Sequence, residues 1–152
     1  MSETHPALGR AERIDRSRAR AWSVQVHYRW ESMGSVGTLR DALVETAATR
    51  RISPRRLPYV RRVLTEIDKH LADVDRALQD ALENWRLERL STLDRAVLRV
   101  AAAEMLYMDD VPPKVSIQEA IRLSEQYGGP DSPRFVNGVL DALFKRLRGA
   151  GT

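Results

Sequence analysis

Apolar residues recur along this chain at steps of three and four, and those steps predict helices from one end to the other. Ala19, Trp22, Val26, Trp30 and Met33 form the first stripe, which places a helix from near Ile14 to near Met33, ended by Gly34 and Gly37. Thr38 is positioned to cap a short second helix that buries Leu39, Ala42, Leu43 and Ala47. The segment 49–57 is basic and reads as a loop. Pro58 suits the first turn of a long third helix, because a first-turn residue needs no backbone N–H partner. Its apolar positions are Val60, Val63, Leu64, Ile67, Leu71, Val74, Leu78 and Leu82, with a bend or break expected near His70 to Asp73.

The second half carries clearer stops. Ser91 and Asp94 make a loose capping pair ahead of Leu93, Val97, Val100, Ala101 and Met105, and Pro112-Pro113 stops that helix. Ser116 and Glu119 read as a second capping box, with Gly128-Gly129 ending the helix it starts. Ser132 and Pro133 are placed to open a last helix through Phe135, Val136, Val139, Leu140, Leu143, Phe144 and Leu147. A glycine inside a helix costs about 1 kcal/mol relative to alanine. Gly138 therefore predicts the close approach of another helix, with Asn137 placed to tie two backbones. No segment alternates like a half-buried strand and no repeat is visible, so the fold class is all-α.

Composition narrows the setting. The chain has 152 residues, 43% of them hydrophobic and 30% charged, which fits a single globular domain. Residues 1–13 are expected to form a flexible tail, followed by one domain over 14–148 with subdomains of about 14–84 and 85–148. Without cysteine there is no disulfide framework or thiolate chemistry, as suits a reducing cytoplasm. The polar first residues make no secretory signal expected, and the apolar run 96–108 is too short to span a bilayer. The net charge of +4 hides an uneven distribution. Six arginines and no acid fall between Arg50 and Arg62, whereas Glu66 to Asp94 holds eight acids against four bases. One basic and one acidic surface suit two kinds of partner, a nucleic acid and a basic protein.

Groups that carry catalysis are missing from the pattern. His5, His27 and His70 are far apart and form no metal-binding pair. Asp109-Asp110 reads as a solvated loop before a proline turn, and Gly128-Gly129-Pro130 lacks both the dinucleotide and the P-loop pattern. A binding protein with no cofactor and no metal is expected rather than an enzyme. Arg13, Arg16 and Arg20 share one face of the first helix, with Arg18 to the side. Such a face grips phosphates, and Tyr28 two turns on is placed to stack an unpaired base.

The blocks Trp85 to Arg99, Glu104-Met-Leu, Val111 to Ala120 and Asp131-Ser-Pro-Arg-Phe-Val-Asn-Gly-Val-Leu-Asp141 resemble the C-terminal half of the NusB family. The stretch Arg18-Ala-Arg20, Val24-Gln25 and Tyr28-Arg-Trp30 is similar to the family's arginine-rich first helix. The resemblance runs from about Arg16 to about Leu147 and is weak between Met33 and Leu82. It implies about seven helices in two packed subdomains. It also implies antitermination: binding of boxA RNA in nascent ribosomal RNA transcripts together with NusE, a ribosomal small-subunit protein, on the elongating RNA polymerase. The RNA-facing positions it implies are Arg16, Arg18, Arg20, Tyr28, Asp131 and Phe135, and the NusE-facing ones Glu88 and Asp94. Departures accompany it: His27 stands at a usually apolar position, and Ser17, Asp15 and Glu12 dilute the arginine run. Two alternatives stay open, a homodimer that hides its arginine helix and a stand-alone RNA-binding module related to the N-terminal domain of ribosomal RNA cytosine methyltransferases.

Overall fold

The computed structural model describes residues 7–150, except for the side chain of Ala150. Among them the regular elements are α1 (Arg10–Ser32), α2 (Leu39–Thr49), α3 (Leu57–Ala81), a 3-10 turn (Leu87–Arg89), α4 (Thr92–Tyr107), α5 (Pro113–Tyr127) and α6 (Ser132–Ala150). That is six α-helices rather than about seven. The expected bend in the third helix exists, since His70 leaves helical geometry at φ −126° and ψ 25°, but α3 resumes on the far side. The His70 ring lies stacked on Tyr107 of α4, centroids 3.8 Å apart.

α1 begins at Arg10, so residues 10–13 of the expected tail are helical; residues 1–6 lie outside the described residues. Its first turn is closed by the Arg13 amide donating to the Gly9 carbonyl and by the Arg13 guanidinium donating to the Leu8 carbonyl at 2.7 Å. Thr38 caps α2 in a full capping box with Asp41. The Ser91 hydroxyl accepts from the Asp94 amide at 3.1 Å and so caps α4. Ser116 and Glu119 do not form the expected box. α5 already starts at Pro113, whose missing N–H costs nothing in a first turn, and Ser116 lies inside the helix with its buried hydroxyl unpaired.

The glycines also sort differently from expectation. A Cβ on Gly138 would meet nothing within 4 Å, and both Gly138 and Asn137 are exposed, so no helix packs there. The close approach is at Gly128 instead, where a Cβ would sit 2.7 Å from the Ser132 Cβ and 2.8 Å from the Ser124 carbonyl. That glycine lets the chain turn from α5 directly into α6, with the Gly129 amide donating to the Ser132 hydroxyl at 3.1 Å.

α4 is the centre of the molecule. Its residues 96 to 104 are all buried, as expected of a helix surrounded by others. It packs against α1, α3, α5 and α6. Three consecutive alanines, Ala101 to Ala103, let those neighbours come close. Two charged residues are enclosed within this run, Arg99 and Glu104. A buried charge needs a partner, and each one anchors a polar network that reaches α1.

Candidate nucleic-acid interface

The sequence places Arg16 and Arg20 on one face of α1, and the structure turns that face inward. Arg20 is 4% exposed. Its Nε donates to Glu104 at 2.7 Å, one terminal nitrogen to Glu119 at 3.0 Å and the other to the Tyr59 hydroxyl at 3.2 Å. Burial alone would lower the guanidinium pKa, but Glu104, Tyr59 and Glu119 outweigh it and raise it. All three guanidinium nitrogens are engaged, so the structure places Arg20 in a buried ion pair rather than on the exposed side of α1. Tyr59 in turn donates a short hydrogen bond to Glu104, and burial next to that carboxylate raises its phenol pKa.

Arg16 lies at the edge of this network. It donates to Asp110 at 3.1 Å and stands 4.9 Å above the Tyr59 ring, keeping two of its nitrogens unpaired. Asp110 also takes both terminal nitrogens of Arg62, and that hydrogen-bonded pairing depresses its pKa. The expected solvated acidic loop is thus half engaged: Asp110 is a bridge between α1 and α3.

Arg18 faces solvent, and so do Gln25, Tyr28 and Arg29. These positions form one stripe at helical spacing, and Tyr28 is 48% exposed although the chain buries most of its large apolar groups. His27 beside it is fully buried. Burial, with Arg99 next to it, pushes the His27 pKa down to about 3, so the ring is neutral. Arg99 donates to its Nε2 at 3.1 Å, and the ring packs edge-on against Trp30. The departure at position 27 is therefore a neutral core histidine, and Tyr28 remains outside.

Asp131 and Phe135 sit at the start of α6. Asp131 is exposed and its carbonyl accepts the Phe135 amide. Phe135 meets Trp85 edge-on, ring centroids 6.0 Å apart. Trp85 is 60% exposed, and its carbonyl is held by the Gln79 side chain at 2.8 Å. In the sequence Trp85 stands out only as the start of the block that resembles the family's C-terminal half. Its exposure is a tertiary outcome that no local pattern signals. No hydrogen bond or ring contact among the described residues joins Asp131 or Phe135 to Arg18 or Tyr28.

Glu88 lies within the 3-10 turn and Asp94 in the first turn of α4. Glu88 is exposed and paired with Arg86, while Asp94 is half-buried with one carboxylate oxygen unpaired. Glu88 borders a cleft of about 500 Å³ also lined by Glu31, Asp75, Arg76, Arg95 and Arg99. Arg95 and Arg99 share Glu31, and Arg99 also takes Asp75 at 2.8 and 2.9 Å. Burial would raise the Glu31 pKa, but hydrogen bonds from Arg95 reverse that and lower it. Among the described residues no cluster could hold a metal ion, and no helix is long and apolar enough to cross a membrane.

Fold and surface together define an all-helical protein whose arginine-bearing first helix is half locked into a polar core and half presented to solvent. The NusB family model matches residues 17–145, and the chain belongs to that family. It is 35% identical over 136 residues to the transcription antitermination protein NusB of Desulfosudis oleivorans, covering 89% of this chain and 88% of that one. It is 32% identical over 139 residues to that of Chloroherpeton thalassium, covering 91% of this chain but 65% of the longer relative. T. maritima NusB superposes with a TM-score of 0.76 at 34% identity, over 86% of this chain and 90% of that one. The antitermination factors NusB and NusE solved in complex with dsRNA include a chain with a TM-score of 0.76 at 22% identity, a likeness of fold, over 87% of this chain and 97% of that one.

Proposed function

We propose that this protein is a transcription antitermination factor that binds boxA RNA in nascent ribosomal RNA transcripts together with NusE, and that the complex acts on elongating RNA polymerase. Membership of the NusB family over residues 17–145 carries this reading. The solved assembly of NusB and NusE with dsRNA supports both kinds of partner. The surface agrees with it. Arg18 and Tyr28 offer a cation and a stacking ring on one exposed stripe, and Arg16 keeps two unpaired nitrogens. Asp131 and Phe135, with Trp85 beside them, offer a carboxylate that accepts hydrogen bonds from a base edge and an aromatic corner. Glu88 and Asp94 face NusE in this reading, and the acidic stretch around them suits a basic ribosomal protein. Arg20 contributes by holding α1 in place.

The test is a titration of single-stranded boxA-like RNA against the protein alone and with NusE, beside a scrambled strand of equal length. Tighter binding of the boxA-like strand, strengthened by NusE and weakened by salt, is expected. Equal affinity for both strands with NusE present overturns the boxA assignment.

A further inference from the structure

The arginines between α2 and α3 have no part in boxA recognition as proposed, yet the fold brings two of them, Arg55 and Arg56, against α1. Asp15 pairs with Arg56 at 3.1 Å and Arg55 at 3.6 Å, and Asp110 pairs with Arg16 and Arg62. Each carboxylate thus holds two guanidiniums and leaves a net positive charge. Between the two pairs lies a cleft of about 300 Å³ with Glu12, Pro58 and Tyr59 also in its lining, so that three arginines there face two carboxylates, Glu12 and Asp15. Arg16 and Arg62 stand over the Tyr59 ring at 4.9 and 6.0 Å. Arg56 donates to Asp15 through Nε, and among the described residues no hydrogen bond takes the terminal nitrogens of Arg56 or Arg55. Arg10, Arg18, Arg50, Arg51 and Arg61 are exposed, and none has a carboxylate within ion-pairing distance among the described residues.

We infer that this cleft and the arginines around it form a sequence-independent track for the phosphate backbone of RNA, extending the contact beyond the boxA recognition surface. The inference rests on the RNA-binding reading. Guanidinium pairs fixed by one carboxylate are held in place before any ligand arrives, and their free terminal nitrogens match phosphate oxygens. A groove of positive charge that tracks the backbone is the arrangement that follows a single strand without reading its sequence. The excess of unpaired cations calls for a charge at every repeat of the ligand, as a polynucleotide supplies.

The experiment compares the wild type with Arg51→Gln/Arg55→Gln/Arg61→Gln, all three exposed, on boxA-like and scrambled RNA long enough to run past the recognition element. Each released phosphate contact contributes a salt slope of about 0.7 on a single strand. The variant should therefore bind both RNAs more weakly, with a slope smaller by about 2, while its preference for the boxA-like strand over the scrambled one is kept. The wild-type advantage should shrink roughly 20-fold between 50 and 200 mM salt. Circular dichroism and the melting temperature check that the variant is folded. Arg51→Gln/Arg61→Gln, which leaves the Asp15 pairs intact, repeats the test with a slope change of about 1.4. Unchanged affinity and slope in folded variants overturn the track while the boxA preference of the wild type still stands. Equal affinity of the wild type for both strands with NusE present overturns the boxA assignment alone, whereas no binding of either strand sinks the RNA reading itself. A polyglutamate of matched charge is the last arm: variants that lose it but hold RNA as the wild type does reassign the patch to an acidic protein and overturn the proposal.

Discussion

Arg20 keeps its charge in the interior because three acceptors share its guanidinium. Taking the side chain away would leave Glu104, 1% exposed, as a buried carboxylate whose other oxygen is already unpaired. Breaking a buried pair in this way costs on the order of 3–5 kcal/mol. Arg20→Ala should therefore lower the free energy of unfolding by about that much, as measured by urea denaturation. Arg18→Ala, on the exposed side of the same helix, should change stability by less than about 0.5 kcal/mol. A stable Arg20→Ala protein would mean that Glu104 is not held as described. The two arginines are two residues apart and look alike in sequence. They differ in fate because Glu104 and Glu119, 84 and 99 positions away, lie opposite one of them and not the other.

At the level of helices, periodicity and caps were legible and the direction of faces was not. The stripe of α1, the capping of α2 by Thr38, the bend at His70 and the end of α5 at Gly128 each follow from local chemistry that a sequence carries. Ser116 misled because a serine three residues before a glutamate is a capping pattern only where a helix begins, and two prolines had already begun this one. Gly138 misled for a related reason: a glycine's cost is local, while its justification is tertiary. The two glycines make a paired prediction. Gly138→Ala adds a methyl group where there is open space in a helix, and should raise stability by up to about 1 kcal/mol. Gly128→Ala drives a Cβ into Ser132 and the Ser124 carbonyl, and should lower the melting temperature. A melt of both variants that ranks them the other way round would contradict the α5–α6 junction described here.

Across the whole molecule, polar networks rather than apolar packing alone tie the helices together. His27 of α1, Arg99 and Arg95 of α4, Glu31 of α1 and Asp75 of α3 form one of them. Its histidine makes global stability depend on pH. An unfolded histidine titrates near 6.5, whereas His27 stays neutral down to about 3, so between those values the unfolded chain binds a proton that the folded one refuses. The sign follows: stability present above about pH 6.5 is lost as pH falls. The expected loss between pH 7 and pH 5 is about 2 kcal/mol from this group. Denaturant midpoints at the two pH values check it, and His27→Leu should flatten the difference. A wild type equally stable at both values would mean that His27 takes up a proton in the fold. None of this coupling was legible beforehand, since a lone histidine in a helical stripe does not announce which cation will lie against it.

The placement of the three tryptophans has a spectroscopic consequence. Trp30 is buried and Trp22 half-buried, whereas Trp85 stands 60% open to water beside Phe135. Emission quenched by iodide in solution should therefore come mainly from Trp85. The indole is a built-in optical reporter at the mouth of α6, able to register whatever settles on that corner without a label on the protein or its ligand.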